Sequence, residues 1–154
     1  MKKIVISTGG TGGHIFPAIN LMKHFYEKKY DVLLVTDSRG NKFLKDKHEF
    51  KSYILKTTTP FRKNFIVKIL SFFTIFYSII NSIIILKKEK PNLIIGLGGY
   101  VSFPLCFSAG LLNLPLVIYE NNMVMGRTNK YLSFFSKKIL LGKDIKKNLP
   151  KKYH

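Results

Sequence analysis

Short runs of branched apolar residues alternate along the whole chain with longer stretches in which apolar positions recur at helical spacing. The short runs predict strands near residues 3 to 8, 31 to 36, 51 to 56, 92 to 96, 115 to 119 and 137 to 141. The longer stretches predict helices near 15 to 28, 41 to 47, 65 to 88, 102 to 112 and 126 to 135. Strands buried on both faces read as continuous apolar runs, and regular alternation with helices builds a parallel sheet. The fold class is therefore α/β, an open, doubly wound, Rossmann-like parallel sheet. No internal repeat or low-complexity linker interrupts the pattern, and 154 residues with 46% apolar content suffice for one domain, 1–154, with a proper core. In such sheets ligands bind beyond the carboxyl ends of the strands, where strand order reverses between the first and fourth strands.

The third helical stretch departs from the ordinary pattern. From Ile69 to Leu86 it carries no charge, about the length at which a membrane-spanning helix must be considered. Ser71, Thr74, Ser78, Asn81 and Ser82 nevertheless form one mildly polar stripe at helical spacing. Lys87 to Pro91 also leaves only a short connection to strand four, which must return beside strand one. A spanning helix would deliver that strand to the wrong side of a bilayer. The expectation is an interfacial helix over 65–88, part buried on the sheet and part presenting Phe, Tyr and Ile to lipid. Arg62, Lys63, Lys68, Lys87, Lys88 and Lys90 flank it, ready for anionic headgroups. The competing reading is an unusually apolar core helix.

Charge narrows the partners. A formal +18 suits nucleic acid or an anionic membrane surface, although a nucleotide bias in the gene would yield the same lysine- and isoleucine-rich composition. Only Arg39, Arg62 and Arg127 are arginines, whereas base readout leans on the arginine fork, so specific nucleic-acid binding is not expected. The single cysteine, Cys106, excludes a disulfide framework and reads as a small core residue in a reducing compartment. The apolar run after Lys2 and Lys3 ends within a few residues, so no export signal is expected and the chain is placed in the cytoplasm.

Candidate chemistry gathers at the strand ends. Gly9, Gly10, Thr11, Gly12 and Gly13 follow the first strand, and Ile15 with Pro17 opens the next helix, so loop amides and a helix N-terminus can face a phosphate or diphosphate together. A tight strand-to-helix turn would use the same glycines. A dinucleotide fingerprint counted from Gly10 would need glycine at 15, where Ile15 stands, and no Gly-Lys-Ser/Thr follows as in a P-loop. Asp37 then reads as a helix cap or turn residue. His14, at the mouth of the loop, is the candidate general base, with a hydrogen bond to the loop as its alternative role. His24, His48 and His154 read as surface or terminal residues, and no metal-ligand spacing links the four histidines.

A second glycine loop, Gly96 to Pro104, follows strand four, placing Gly98, Gly99 and Tyr100 opposite the first. Strand five ends in Tyr119-Glu120-Asn121-Asn122, with Gly126 to Lys130 leading into a further helix. Spacing leaves open whether Glu120 binds sugar hydroxyls, assists proton transfer or caps a loop.

Taken together, Gly9 to His14, Gly98 to Ser102, Glu120 to Asn122 and Thr128 to Lys130 resemble, in order and spacing, the N-terminal domain of the MurG family of N-acetylglucosaminyltransferases, glycosyltransferase family 28. The resemblance runs from Lys3 to about Tyr153. It implies the N-terminal half of a two-domain GT-B glycosyltransferase that needs no catalytic metal or other cofactor and inverts configuration at the transferred sugar. The implied acceptor is undecaprenyl-diphosphate-linked N-acetylmuramyl-pentapeptide, bound by a peripheral protein on the cytoplasmic face of the bacterial inner membrane. UDP-N-acetylglucosamine would bind a C-terminal half that these residues do not include. By motif, Gly10, Thr11, Gly12, Gly13, Gly98, Gly99 and Tyr100 would surround the diphosphate and adjoining sugar, and His14 would deprotonate the acceptor hydroxyl. Glu120 and Asn122 would orient the acceptor, supported by Asn129. Phe103 stands where the family more often has glycine, and Tyr119 where histidine commonly precedes the glutamate. Without a donor-binding half the chain is not expected to transfer sugar. It is then a truncated product or an acceptor-binding, membrane-recruiting subunit of a bipartite transferase, as in eukaryotic enzymes whose two halves are separate chains.

Overall fold

The structure, a computed structural model, describes residues 1–44, 50–59 and 64–142. Its elements run β1 (Lys3–Ser7), α1 (Gly12–Glu27), β2 (Asp31–Thr36), α2 (Ser38–Lys42), β3 (Lys51–Ile54), α3 (Phe65–Glu89), β4 (Leu93–Gly96), α4 (Ser102–Leu111), β5 (Leu116–Glu120), α5 (Arg127–Leu132) and β6 (Lys138–Leu141). All strands pair in parallel, in the order β3-β2-β1-β4-β5-β6, so strand order reverses between β1 and β4 as expected.

Both faces of the sheet are covered. Ile15, Ala18, Ile19 and Met22 of α1 pack with Ile4, Ile6, Val32 and Leu34 on one face. On the other, Leu86 of α3, Leu105 and Ala109 of α4 and Leu132 of α5 pack with Val5, Leu33, Ile94, Leu116 and Ile118. Alternate residues of each central strand thus enter different cores, which is why the strands read as unbroken apolar runs. Cys106 lies fully buried in the second core.

The helices depart from expectation at their ends. α1 begins at Gly12 instead of Ile15, so Pro17 sits inside it. α2 begins at Ser38 because Asp37 caps it, its Oδ1 accepting from the Gly40 amide at 2.8 Å; the predicted continuation to 45–47 lies outside the described residues. α5 stops at Leu132, three residues short. His48, His154, Arg62 and Lys63 also lie outside the described residues, while His24 is exposed.

α3 is built with its polarity reversed. Ser71, Ser78 and Ser82 are buried, whereas Phe65, Ile66, Leu70, Phe72, Phe73, Phe76, Tyr77 and Ile84 are exposed. Only 28% of its most apolar window is buried, which sets aside the core-helix reading. The small polar stripe allows close approach to α4: Ser108 Oγ donates to the Ile79 carbonyl at 3.2 Å and to Pro104 at 2.8 Å. Ser78 Oγ donates to the Lys56 carbonyl and Ser82 Oγ to the Ser78 carbonyl, so these two buried hydroxyls are satisfied. Asn64 caps the start, and Lys90, left-handed at φ 46°, ends the helix ahead of Pro91. At that far end buried Glu89 accepts from Lys3 Nζ at 2.7 Å, Lys51 Nζ at 2.6 Å and the Tyr53 hydroxyl at 2.6 Å, tying α3 to β1 and β3.

Candidate functional site

At the carboxyl ends of β1 and β4 the two glycine loops lock together. The Gly9 amide donates to the Gly98 carbonyl at 3.1 Å, and the Leu97 amide to Ser7 at 2.9 Å. Gly98 and Gly99 hold φ of +89° and +80°, a region costly for any residue with a Cβ. A Cβ on Gly99 would lie 2.9 Å from Gly9 Cα, so backbone meets backbone here with no room for a side chain. Ser102, at the start of α4, braces the second loop by donating its hydroxyl to the Gly98 carbonyl.

The locked loops form one wall of a cavity of about 490 Å³. Gly10, Thr11, His14, Gly98, Gly99, Tyr100, Glu120, Asn122 and Asn129 all line it. Sequence reasoning thus assembled most of one real concavity. Gly12 and Gly13 do not line it, because they form the first turn of α1. Their amides belong to the turn whose N–H groups lack intrahelical partners, so they can add only dipole and donor character.

The half-buried His14 is held by this same turn, its amide donating to the Thr11 carbonyl at 2.9 Å. Its ring lies against the second loop, 3.5 Å from where a Gly98 Cβ would stand. Among the described residues its ring nitrogens hydrogen-bond to no protein group, so the loop-bracing role is not seen, and the residue lines the cavity.

Glu120 is organised differently. It is 1% exposed, and both carboxylate oxygens are engaged. Oε1 accepts from the Asn122 amide at 2.9 Å and Asn122 Nδ2 at 2.8 Å. Oε2 accepts from the Gly126 amide and from Asn129 Nδ2, each at 2.9 Å. Four donors from the loop and α5 converge on one carboxylate, which shapes the 121–129 segment and orients Asn129. Asn129 Nδ2 donates to Glu120 and to the Tyr119 carbonyl, which fixes the side-chain amide beside Gly98 and leaves its buried Oδ1 without a hydrogen-bond partner among the described residues.

Sequence reasoning missed two cations. Arg39, at the start of α2, and Arg127, at the start of α5, both line the cavity, so two of the three arginines in the chain meet here. Arg39 is positioned by Asp37 Oδ2, which accepts from its Nε at 2.9 Å and Nη2 at 2.7 Å. Asp37 thus makes both the expected helix cap and a salt bridge. The signal was present: in a doubly wound sheet residues after β2 and β5 reach the same rim as those after β1 and β4. Two guanidinium groups beside loop amides suit a diphosphate. Among the described residues no cluster of His, Cys, Asp and Glu could hold a metal ion.

The chain has relatives among known proteins. An N-acetylglucosaminyltransferase of Pelagibacter ubique, described as acting between UDP-N-acetylglucosamine and N-acetylmuramyl-(pentapeptide) pyrophosphoryl-undecaprenol, is 40% identical over 153 residues, covering 99% of this chain and 42% of its own length. A namesake from Francisella tularensis is 37% identical over 99% of this chain and 41% of its own. The crystal structure of Acinetobacter baumannii MurG superposes with a TM-score of 0.81 at 30% identity, over 92% of this chain and 41% of that one. A UDP-GlcNAc 2-epimerase of Methanocaldococcus jannaschii shares the fold alone, with a TM-score of 0.70 at 13% identity over 94% of this chain. The chain therefore spans about two fifths of the length of the curated relatives it matches. The profile of the glycosyltransferase family 28 N-terminal domain matches residues 4–141, and the chain belongs to that family.

Proposed function

We propose that this chain binds the acceptor in an inverting hexosyl transfer, N-acetylglucosamine passing from UDP-N-acetylglucosamine to undecaprenyl-diphosphate-linked N-acetylmuramyl-pentapeptide. The observation that carries the proposal is the single cavity in which both glycine loops, Arg39, Arg127 and His14 converge.

The residues divide the work by chemistry. Amides of the glycine loops, the N-terminus of α1 and the two guanidinium groups hold the diphosphate. Tyr100, 47% exposed at the rim, flanks the adjoining sugar. Glu120 acts through others: its four hydrogen bonds keep Asn122 and Asn129 where the sugar needs them. His14 takes the proton of the acceptor hydroxyl as that oxygen bonds to the anomeric carbon and the bond to UDP breaks on the opposite side. The donor is supplied by a C-terminal half, in the same chain or another, consistent with the two-fifths coverage of the relatives. The reversed α3, with Lys68, Lys87, Lys88 and Lys90 along it, rests on an anionic bilayer at the cytoplasmic face of the bacterial inner membrane, peripherally.

Complementation tests the reading. With the donor-binding half added, His14→Ala should lower turnover by about 10²–10⁴ while acceptor binding persists. Unchanged turnover would refute the base. Transfer from UDP-N-acetylglucosamine by the unaltered chain alone would refute the division into halves.

A further inference from the structure

A second cavity, of about 470 Å³, opens beside the first on the face of the sheet that carries α3, α4 and α5. Ile75 of α3, Phe103 and Phe107 of α4, Tyr131 of α5, and Phe134 and Phe135 just after it line it. Its wall is an aromatic array: Phe103 stacks on Phe107 at 5.6 Å between centroids, and Phe135 meets Phe107 edge-on at 5.5 Å. Gly110 makes room for this, since a Cβ there would stand 2.7 Å from the Phe135 ring. The rings are not sealed in a core, for Tyr131 is 61% and Phe134 71% exposed. Tyr100, Arg127 and Thr128 belong to both cavities, so the polar chamber and the aromatic one share a rim.

We infer that the aromatic cavity receives the first isoprene units of the acceptor's polyprenyl chain, a site separate from the diphosphate and sugar contacts. The inference rests on reading the glycine-loop cavity as a diphosphate site. A polyprenyl diphosphate changes from a multiply charged diphosphate to hydrocarbon within one bond, and the protein changes from guanidinium and amide to aromatic ring across one shared rim. A chain leaving the diphosphate at Arg127 therefore enters the aromatic cavity directly and passes Ile75 toward the exposed apolar face of α3. Burial of isoprene methyl and methylene groups against rings adds affinity that the diphosphate alone does not supply.

Isothermal titration of the full chain with inorganic, dimethylallyl and farnesyl diphosphates tests this. Farnesyl diphosphate should bind at least about tenfold more tightly than dimethylallyl diphosphate. Thr58→Trp, which fills the cavity from the segment after β3, should make the two affinities converge. Tyr131→Ser, which opens an exposed part of the wall, should shrink the ratio and guards against misfolding of the first variant. Equal affinities for all three ligands in the unaltered chain would overturn the inference and leave the diphosphate site standing. Absence of binding by any of them would overturn both. Chain-length dependence that survives Thr58→Trp and disappears in Phe72→Ser/Phe76→Ser would place the tail on the α3 surface and overturn the inference. So would displacement of farnesyl diphosphate by a single-chain phosphatidylglycerol at equal concentration, since the cavity would then hold a bilayer acyl chain.

Discussion

Replacing Glu89 with glutamine removes the carboxylate that Lys3, Lys51 and Tyr53 share at the foot of α3. Its side chain is 3% exposed, and the hydrogen bonds from Lys3, then Lys51, then Tyr53 outweigh the cost of burial and hold its carboxyl at about 2, below the ordinary 4.5. A carboxyl depressed in the folded state stabilises above its unfolded value, and the contribution fades as pH falls from 4.5 to about 2. At about 1.4 kcal/mol per pH unit this amounts to about 3 kcal/mol at neutral pH and low salt. It should shrink at high salt, because Lys51 is 56% exposed and screened. The same pairing raises Lys3 above 10.5, so its contribution holds below 10.5 and is lost as pH climbs through the raised value. Urea denaturation of both proteins, followed by circular dichroism from pH 2 to 11, reads the difference directly. The gap should form a plateau between about pH 5 and 10 and close on both sides. A gap that stays constant down to pH 2, or none at pH 7, would refute the electrostatic account of the α3 anchor.

Three further outcomes follow from the packing. Gly99→Ala forces a Cβ into a φ of +80° and against the Gly9 backbone at 2.9 Å, and should cost about 1–3 kcal/mol in thermal unfolding along with diphosphate binding. Cys106 is fully buried and burial pushes its thiol well up, so mass spectrometry should find no alkylation by iodoacetamide at pH 8 in the native chain and complete labelling in denaturant. Replacing Phe72, Phe73 and Phe76 of α3 together with serine should weaken sedimentation with phosphatidylglycerol vesicles by several kcal/mol, at about 1.5–3 kcal/mol per phenylalanine, and should leave the melting temperature unchanged or higher. A lowered melting temperature would mean the three rings pack inside the protein.

The strands were readable to within two residues because each central one feeds both cores, and buried β-branched runs such as Ile4-Val5-Ile6 have no other reading. Helix starts were less so. Gly12 and Gly13 carry low helix propensity and read as loop, yet they form the first turn of α1 because the Thr11 carbonyl accepts from both His14 and Ile15. The two loops at the β1–β4 reversal could be matched from topology alone, since parallel order decides which strand ends face each other. Topology alone puts Arg39 at this rim, just after β2, but the aim of its guanidinium depends on the Asp37 side chain, which caps α2 and pairs with it at once. The role of Glu120 depends on donors two, six and nine residues later, brought together by a loop path that spacing does not reveal. The serine stripe of α3 was visible as a stripe, but its inward direction follows from α4 offering Ser108 across a close contact.

The length of α3 has its own consequence. Its 25 residues extend about 37 Å, whereas the 4-residue strands it connects extend about 13 Å, so the helix outruns the sheet by roughly 20 Å. The excess lies at the N-terminal end, where residues 64–70 are all exposed and the first buried residue is Ser71. That overhang is a cantilever, clamped at Glu89 and free beside the strand ends that bear the cavity. Apart from the Asn64 cap, folding places little demand on the identity of its side chains, so its sequence can be retuned to a different surface at small cost in stability.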